Sequence, residues 1–191
     1  GKETPSLERG QGNLTEVVNL NAHAGDWSTY QGNNKRVPAT SVAIPRKVKK
    51  QWHFSSPSGA MPTAPVVAGD LVFVGDRTGA LRAIDSNGKL KWKAYLGGAI
   101  YFPPTIWKDR AYAGSADGRV YAFEAATGRP LWSFRVAPGV RRISMFGKLI
   151  STWPVAGGVI VEDGTVYAAA GIAHYDGTHV VALDAVTGKL K

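Results

Sequence analysis

One short phrase recurs through this chain and limits what it can fold into. It appears as Ala83, Asp85, Gly88, Lys89 and Trp92, as Ala122, Glu124, Thr127, Gly128 and Trp132, and as Ala182, Asp184, Thr187, Gly188 and Lys189. Trp52, Trp92 and Trp132 stand forty residues apart, and the third copy of the phrase is displaced by sixty. A fixed period of this size predicts stacked supersecondary units, each too small to bury its apolar face alone.

Between the tryptophans the sequence alternates short apolar runs with turn residues. Runs at 63–67, 71–75, 80–84 and 90–95 are separated by Gly69 and Asp70, Thr78 and Gly79, and Asn87 and Gly88. The next copy runs over 104–106, 110–114, 119–124 and 131–136, and the third over 153–160, 165–170 and 179–184. Four meandering strands in forty residues predict one blade of a β-propeller, so the fold class is all-β. The expected organisation is a flexible extension at 1–25 followed by a partial propeller at 26–191. The latter comprises an orphan outer strand at 48–54, blades at 63–95 and 104–136, and an incomplete blade at 153–191. These are strands for three blades, whereas propellers close with roughly four to eight. Further blades are expected, from a longer polypeptide or from a second chain.

Each member of the phrase has an architectural task. Gly88, Gly128 and Gly188 suit a tight turn with positive φ. Asp85, Glu124 and Asp184 can accept that turn's N–H groups. Trp92 and Trp132 are expected to lie flat on the neighbouring blade, and Trp52, of the same docking motif, to end the orphan outer strand.

The apolar content of 44% suffices for a core, and a net charge of +9 favours anionic partners. With no cysteine there is no thiolate nucleophile, disulfide or cysteine-ligated zinc. The chain shows no apolar run long enough to span a membrane and no signal peptide. Scattered histidines predict no metal site, and nucleic acid is not an expected partner.

The phrase resembles the tryptophan-docking motif of PQQ-like propeller repeats, the group that includes quinoprotein alcohol dehydrogenases and BamB. Asp26, Trp27, Gly32 and Asn33 resemble the lead-in of such domains, with Gln31 where arginine is usual. The resemblance implies a periplasmic or extracellular protein, and it makes pyrroloquinoline quinone and calcium conceivable cofactors. The residues themselves indicate no cofactor: there is no cysteine for the vicinal disulfide usual above that quinone, and no segment aligns with the calcium ligands.

The extra residues of the third copy fall at 137–152 and 171–178. In a four-stranded meander both positions emerge on one face, so one rim should gather Arg141, Arg142, Lys148, Trp153, His174, Tyr175 and Asp176, with Tyr101 near the same mouth. Arg141 and Arg142 could clamp a carboxylate, sulfate or phosphate, while His174, Tyr175 and Asp176 are the candidates for acid–base work. Three functions follow as expectations. The first is a non-catalytic scaffold that presents this basic, aromatic rim to a protein or an anionic glycan. The second is an enzyme that cleaves acidic polysaccharides. The third is a quinone-dependent dehydrogenase.

Overall fold

The computed structural model describes residues 7–145, 147–172 and 176–191. Two complete blades follow the expected meander. The first contains β2 (Val66–Ala68), β3 (Leu71–Gly75), β4 (Ala80–Asp85) and β5 (Leu90–Tyr95), and the second contains β6 (Thr105–Trp107), β7 (Arg110–Gly114), β8 (Arg119–Glu124) and β9 (Pro130–Arg135). A third blade holds β12 (Ile160–Glu162), β13 (Thr165–Ala170) and β14 (His179–Asp184), with a bridge from Leu183 to Leu190. Its inner strand begins at Ile160, later than the sequence suggests, because residues 153–159 connect it to an inserted hairpin. That hairpin, β10 (Arg142–Met145) and β11 (Lys148–Ser151), is a separate two-stranded sheet. Among the described residues there is no α-helix, and no helix is long and apolar enough to cross a membrane.

The blades face one another across two apolar seams. Phe73, Leu81 and Trp92 of the first blade, with Ile100 of the link that follows it, meet Ala111, Ala113, Phe123 and Ala125 of the second. On the second blade's other side, Tyr112, Val120, Trp132 and Phe134 meet Val166, Ala168 and Leu183 of the third. Successive residues of a strand point to opposite faces, so β7 and β8 of the second blade each feed both seams.

The docking motif fixes how the seams close. Added Cβ atoms at Gly128 and Gly188 would lie 2.6 Å from the rings of Trp92 and Trp132, so each indole rests directly on the next blade's turn. Both glycines have positive φ, 75° and 69°, which a side chain would strain. Trp92 Nε1–H donates to Ala125 O at 2.8 Å, and Trp132 Nε1–H donates to Ala185 O at 3.2 Å. Beneath the Gly88 and Gly188 turns, Asp85 Oδ1 accepts the N–H groups of Asn87 and Lys89, and Asp184 Oδ1 accepts that of Thr187, whereas Glu124, at the Gly128 turn, accepts from the Thr127 hydroxyl, Arg129 and the Val18 N–H. Trp52 likewise sits 3.0 Å from the Cβ position of Gly88. Residues 48–54, however, form no strand in this chain, because no neighbouring sheet offers them a ladder.

The N-terminal residues differ from the flexible extension expected over 1–25. Residues Leu7–Arg9 form β1, a fifth strand antiparallel to β9 on the second blade's outer edge. From there the chain crosses beneath that blade to Leu20, which is buried in the first seam. Residues 26–34 then run along the inner strands: Val67 N–H donates to Trp27 O, Ile106 N–H donates to Ser28 O, and Asn34 Nδ2 donates to Val161 O.

Candidate functional site

The inserted hairpin lies over the junction of the first two blades on one face of the molecule. Its register pairs Arg142 with Ser151 and Ile143 with Ile150. Ser151 N–H donates to Ala116 O at 2.8 Å, and Ile143, Met145 and Ile150 pack with Tyr101, Ala99 and Ala116. Lys148 Nζ reaches Arg77 O at 3.0 Å, and the Arg77 guanidinium stands 4.3 Å above the Tyr101 ring.

At the foot of the hairpin the two insertions meet. Arg141 forms an ion pair with Asp176, donates from Nε to Thr152 Oγ1 at 3.0 Å, and lies 5.0 Å above the Trp153 ring. Trp153 Nε1–H donates to Asp176 O at 2.6 Å, and His179 meets the same indole edge-on at 6.1 Å. His179 Nε2 is buried without a hydrogen-bond partner among the described residues. Arg141 therefore already has an internal carboxylate and acts here as a latch between the insertions, while Arg142 is exposed on its strand. His174 and Tyr175 lie outside the described residues.

The structure thus brings Arg141, Trp153 and Asp176 into one cluster and Lys148 and Tyr101 into an adjacent one. Arg77 and His179 join them without having been singled out from the sequence. Arg77 carried a signal, since it sits in the hairpin turn that shares a face with the insertions.

A second polar group lies along the inner strands. Tyr30 and Phe102 meet edge-to-face at 4.7 Å, and the Arg36 guanidinium stands beside the pair, 5.6 and 5.0 Å from their ring centroids. Thr29 Oγ1 lies 2.9 Å from Thr105 Oγ1, which donates to Val159 O. The cleft among these residues encloses about 10 Å³. That is room for about one water, far too little for a tricyclic quinone. Among the described residues no three His, Asp or Glu side chains gather as metal ligands. The cleft therefore does not fit the quinone, nor do the described side chains fit the calcium, that the family resemblance makes conceivable.

Buried carboxylates occur elsewhere. Asp76 pairs with Arg82 Nη1 at 2.6 Å. Burial raises its pKa, but hydrogen bonds from Thr78 and Arg82 outweigh that and hold it below the ordinary carboxylate value. Glu124 is held low in the same way, by Arg129 and Thr127 against its burial.

The family described as "Outer membrane protein assembly factor BamB" matches residues 33–191. A BamB of Burkholderia pseudomallei is 36% identical over 67 residues, covering 35% of this chain and 18% of that protein. The dehydrogenase subunit of a quinone alcohol dehydrogenase from Gluconobacter oxydans is 26% identical over 192 residues, covering 88% of this chain and 24% of that subunit. The chain thus spans a quarter or less of the length of these relatives. Among solved structures, a quinohemoprotein alcohol dehydrogenase from Comamonas testosteroni aligns with a TM-score of 0.71 at 21% identity, over 93% of this chain and 29% of that one. That likeness speaks for the fold.

Proposed function

We propose, because this chain belongs to the propeller-repeat family described as outer membrane protein assembly factor BamB, that it supplies three consecutive blades to the propeller of a quinone-dependent alcohol dehydrogenase. The observation that carries this reading is the reach of the dehydrogenase match, which takes in 88% of the chain, where the BamB relative matches 35%. On this reading the quinone and its metal are held by further blades. The present blades form one wall of the ring, their rim hairpin covers the approach to it, and the protein works outside the cytoplasm. The test is dye-linked oxidation of primary alcohols by the natural polypeptide after addition of pyrroloquinoline quinone and calcium. Quinone-dependent turnover supports the reading, and absence of both turnover and quinone binding overturns it.

A second reading rests on the rim. A propeller that binds a protein or an anionic glycan would use the exposed Arg142 and Lys148 beside Tyr101 and Trp153. The BamB relative favours it. Replacing Arg142 and Lys148 by glutamate should abolish binding to sulfated or uronic-acid glycans, and unchanged binding removes the glycan form of the idea. Cleavage of such glycans would fall to His174 and Tyr175, and a His174→Ala, Tyr175→Phe chain that retains turnover would exclude it.

A further inference from the structure

The second blade departs from its two sisters at three matched positions on its underside. Arg110 stands where the others have Leu71 and Thr165, Glu124 where they have Asp85 and Asp184, and Arg129 where they have Lys89 and Lys189. All three departures hold the same segment. Arg129 donates to the carbonyls of Gln11, Asn13 and Glu16 at 3.3, 3.1 and 2.8 Å. Arg110 Nη2 donates to Leu14 O at 2.8 Å, and Glu124 Oε1 accepts Val18 N–H at 2.9 Å. Asp109 adds an acceptor for Leu20 N–H at 2.7 Å, and Gly10 N–H donates to Leu131 O at 2.8 Å.

These contacts read main chain. An extended strand added to a sheet edge and held by its backbone is a general mode of peptide recognition. Side chains restrict the sequence at a few points. Glu8 pairs with Arg119 at 3.0 Å, and a Cβ at Gly10 would fall 2.0 Å from Pro130 O. Leu7, Leu14 and Val17 pack on the seam between the second and third blades. Two observations show a seat that its present occupant does not fill. Arg110, only 6% exposed, keeps its buried Nε without a hydrogen-bond partner among the described residues, and a cleft of about 250 Å³ lies between residues 8–10 and Tyr95, Tyr121 and Trp132.

We propose that the outer edge and underside of the second blade form a peptide-binding groove, occupied here in cis by residues 7–20. Its partner is an extended protein segment with the same pattern: an apolar residue and glutamate first, glycine two positions after the glutamate, and aliphatic residues at the places of Leu14, Val17 and Leu20. Such a segment displaces the tethered one by exchanging like for like.

The test uses the full chain and a labelled peptide of residues 7–20. A Val18→Pro, Leu20→Pro chain loses the two N–H donors that Glu124 and Asp109 accept, while the groove residues stay as they are. By fluorescence anisotropy the peptide should bind this loosened chain at least tenfold more tightly than the unmodified one. Adding Arg129→Ala to the chain, or Gly10→Val to the peptide, should abolish the gain. No binding to the loosened chain, or binding indifferent to both changes, overturns the proposal. Hydrogen exchange gives an independent reading on an otherwise intact protein: Arg129→Ala should speed exchange over residues 7–20 and leave β6 to β8 unchanged. Acceleration throughout the blade would make the segment an integral strand and also overturn it.

Discussion

Trp92 and Trp132 are 8% and 2% exposed, each resting on a glycine turn and donating its indole N–H to a carbonyl of the next blade. Trp52 rests on Gly88 in the same manner but is half-buried. Beside it, Val72, Val74 and Ile84 line an open cleft of about 490 Å³. The same motif has thus been placed twice between two sheets and once at the edge of one. The glycine turn is enough to position an indole ring, whereas burial and the N–H bond require a sheet on the ring's other side. Positioning is local to the motif, and most of the stabilisation comes from the seam.

The sharpest way to break this comparison is to remove a seam ring. Trp132→Ala should cost about 3–5 kcal/mol in urea unfolding, as large-to-small changes of buried aromatics do. A cost near that of an exposed residue would mean the seam does not depend on the ring. Next in size, Gly128→Ala should cost about 1–3 kcal/mol, because the new Cβ meets the Trp92 ring at 2.6 Å in a positive-φ turn. Gly88→Ala should cost less, since Trp52 can move away into the open cleft.

Acid should act on the carboxylates beneath and beside the seams. Asp76, Glu124 and Asp184 are each held below their ordinary values, 3.8 for aspartate and 4.5 for glutamate, because hydrogen bonds outweigh burial. A depressed pKa contributes stability that is fully present above the ordinary value and is lost as pH falls through the folded one. Unfolding midpoints should therefore be flat from pH 7 to about 5 and fall below pH 4, by on the order of 1 kcal/mol per carboxylate. Glu124→Gln should flatten part of that fall. Trp52→Ala comes next, at about 1 kcal/mol or less, because no second sheet is lost with it. The smallest effect belongs to the rim: Asp176→Asn should cost under about 1 kcal/mol, since its partner Arg141 is 56% exposed.

The seams were legible because they are written in spacing. The recurring tryptophan, glycine and carboxylate mark turn, ring and blade without reference to anything distant. The inserted hairpin was only half legible: its place followed from the displaced third copy, and its strands could have been read from alternation in 142–145 and 148–151 around the turn glycine Gly147. The pairing of Arg141 with Asp176 joins residues far apart in the chain, and no local pattern announces which cation meets which acid. The least legible part was the segment 7–20. Its own sequence has no strand periodicity, and the residues that hold it lie at least 89 positions away, visible chiefly as departures of Arg110, Glu124 and Arg129 from their sister blades.

Hydrogen exchange of the indole N–H groups, followed by NMR, tests the seam account most directly. Protection of Trp92 and Trp132 that is lost only on global unfolding, with Trp52 exchanging at a rate close to that of a free indole, is the predicted result. Equal protection of Trp52, or rapid exchange at Trp92 and Trp132, would contradict it.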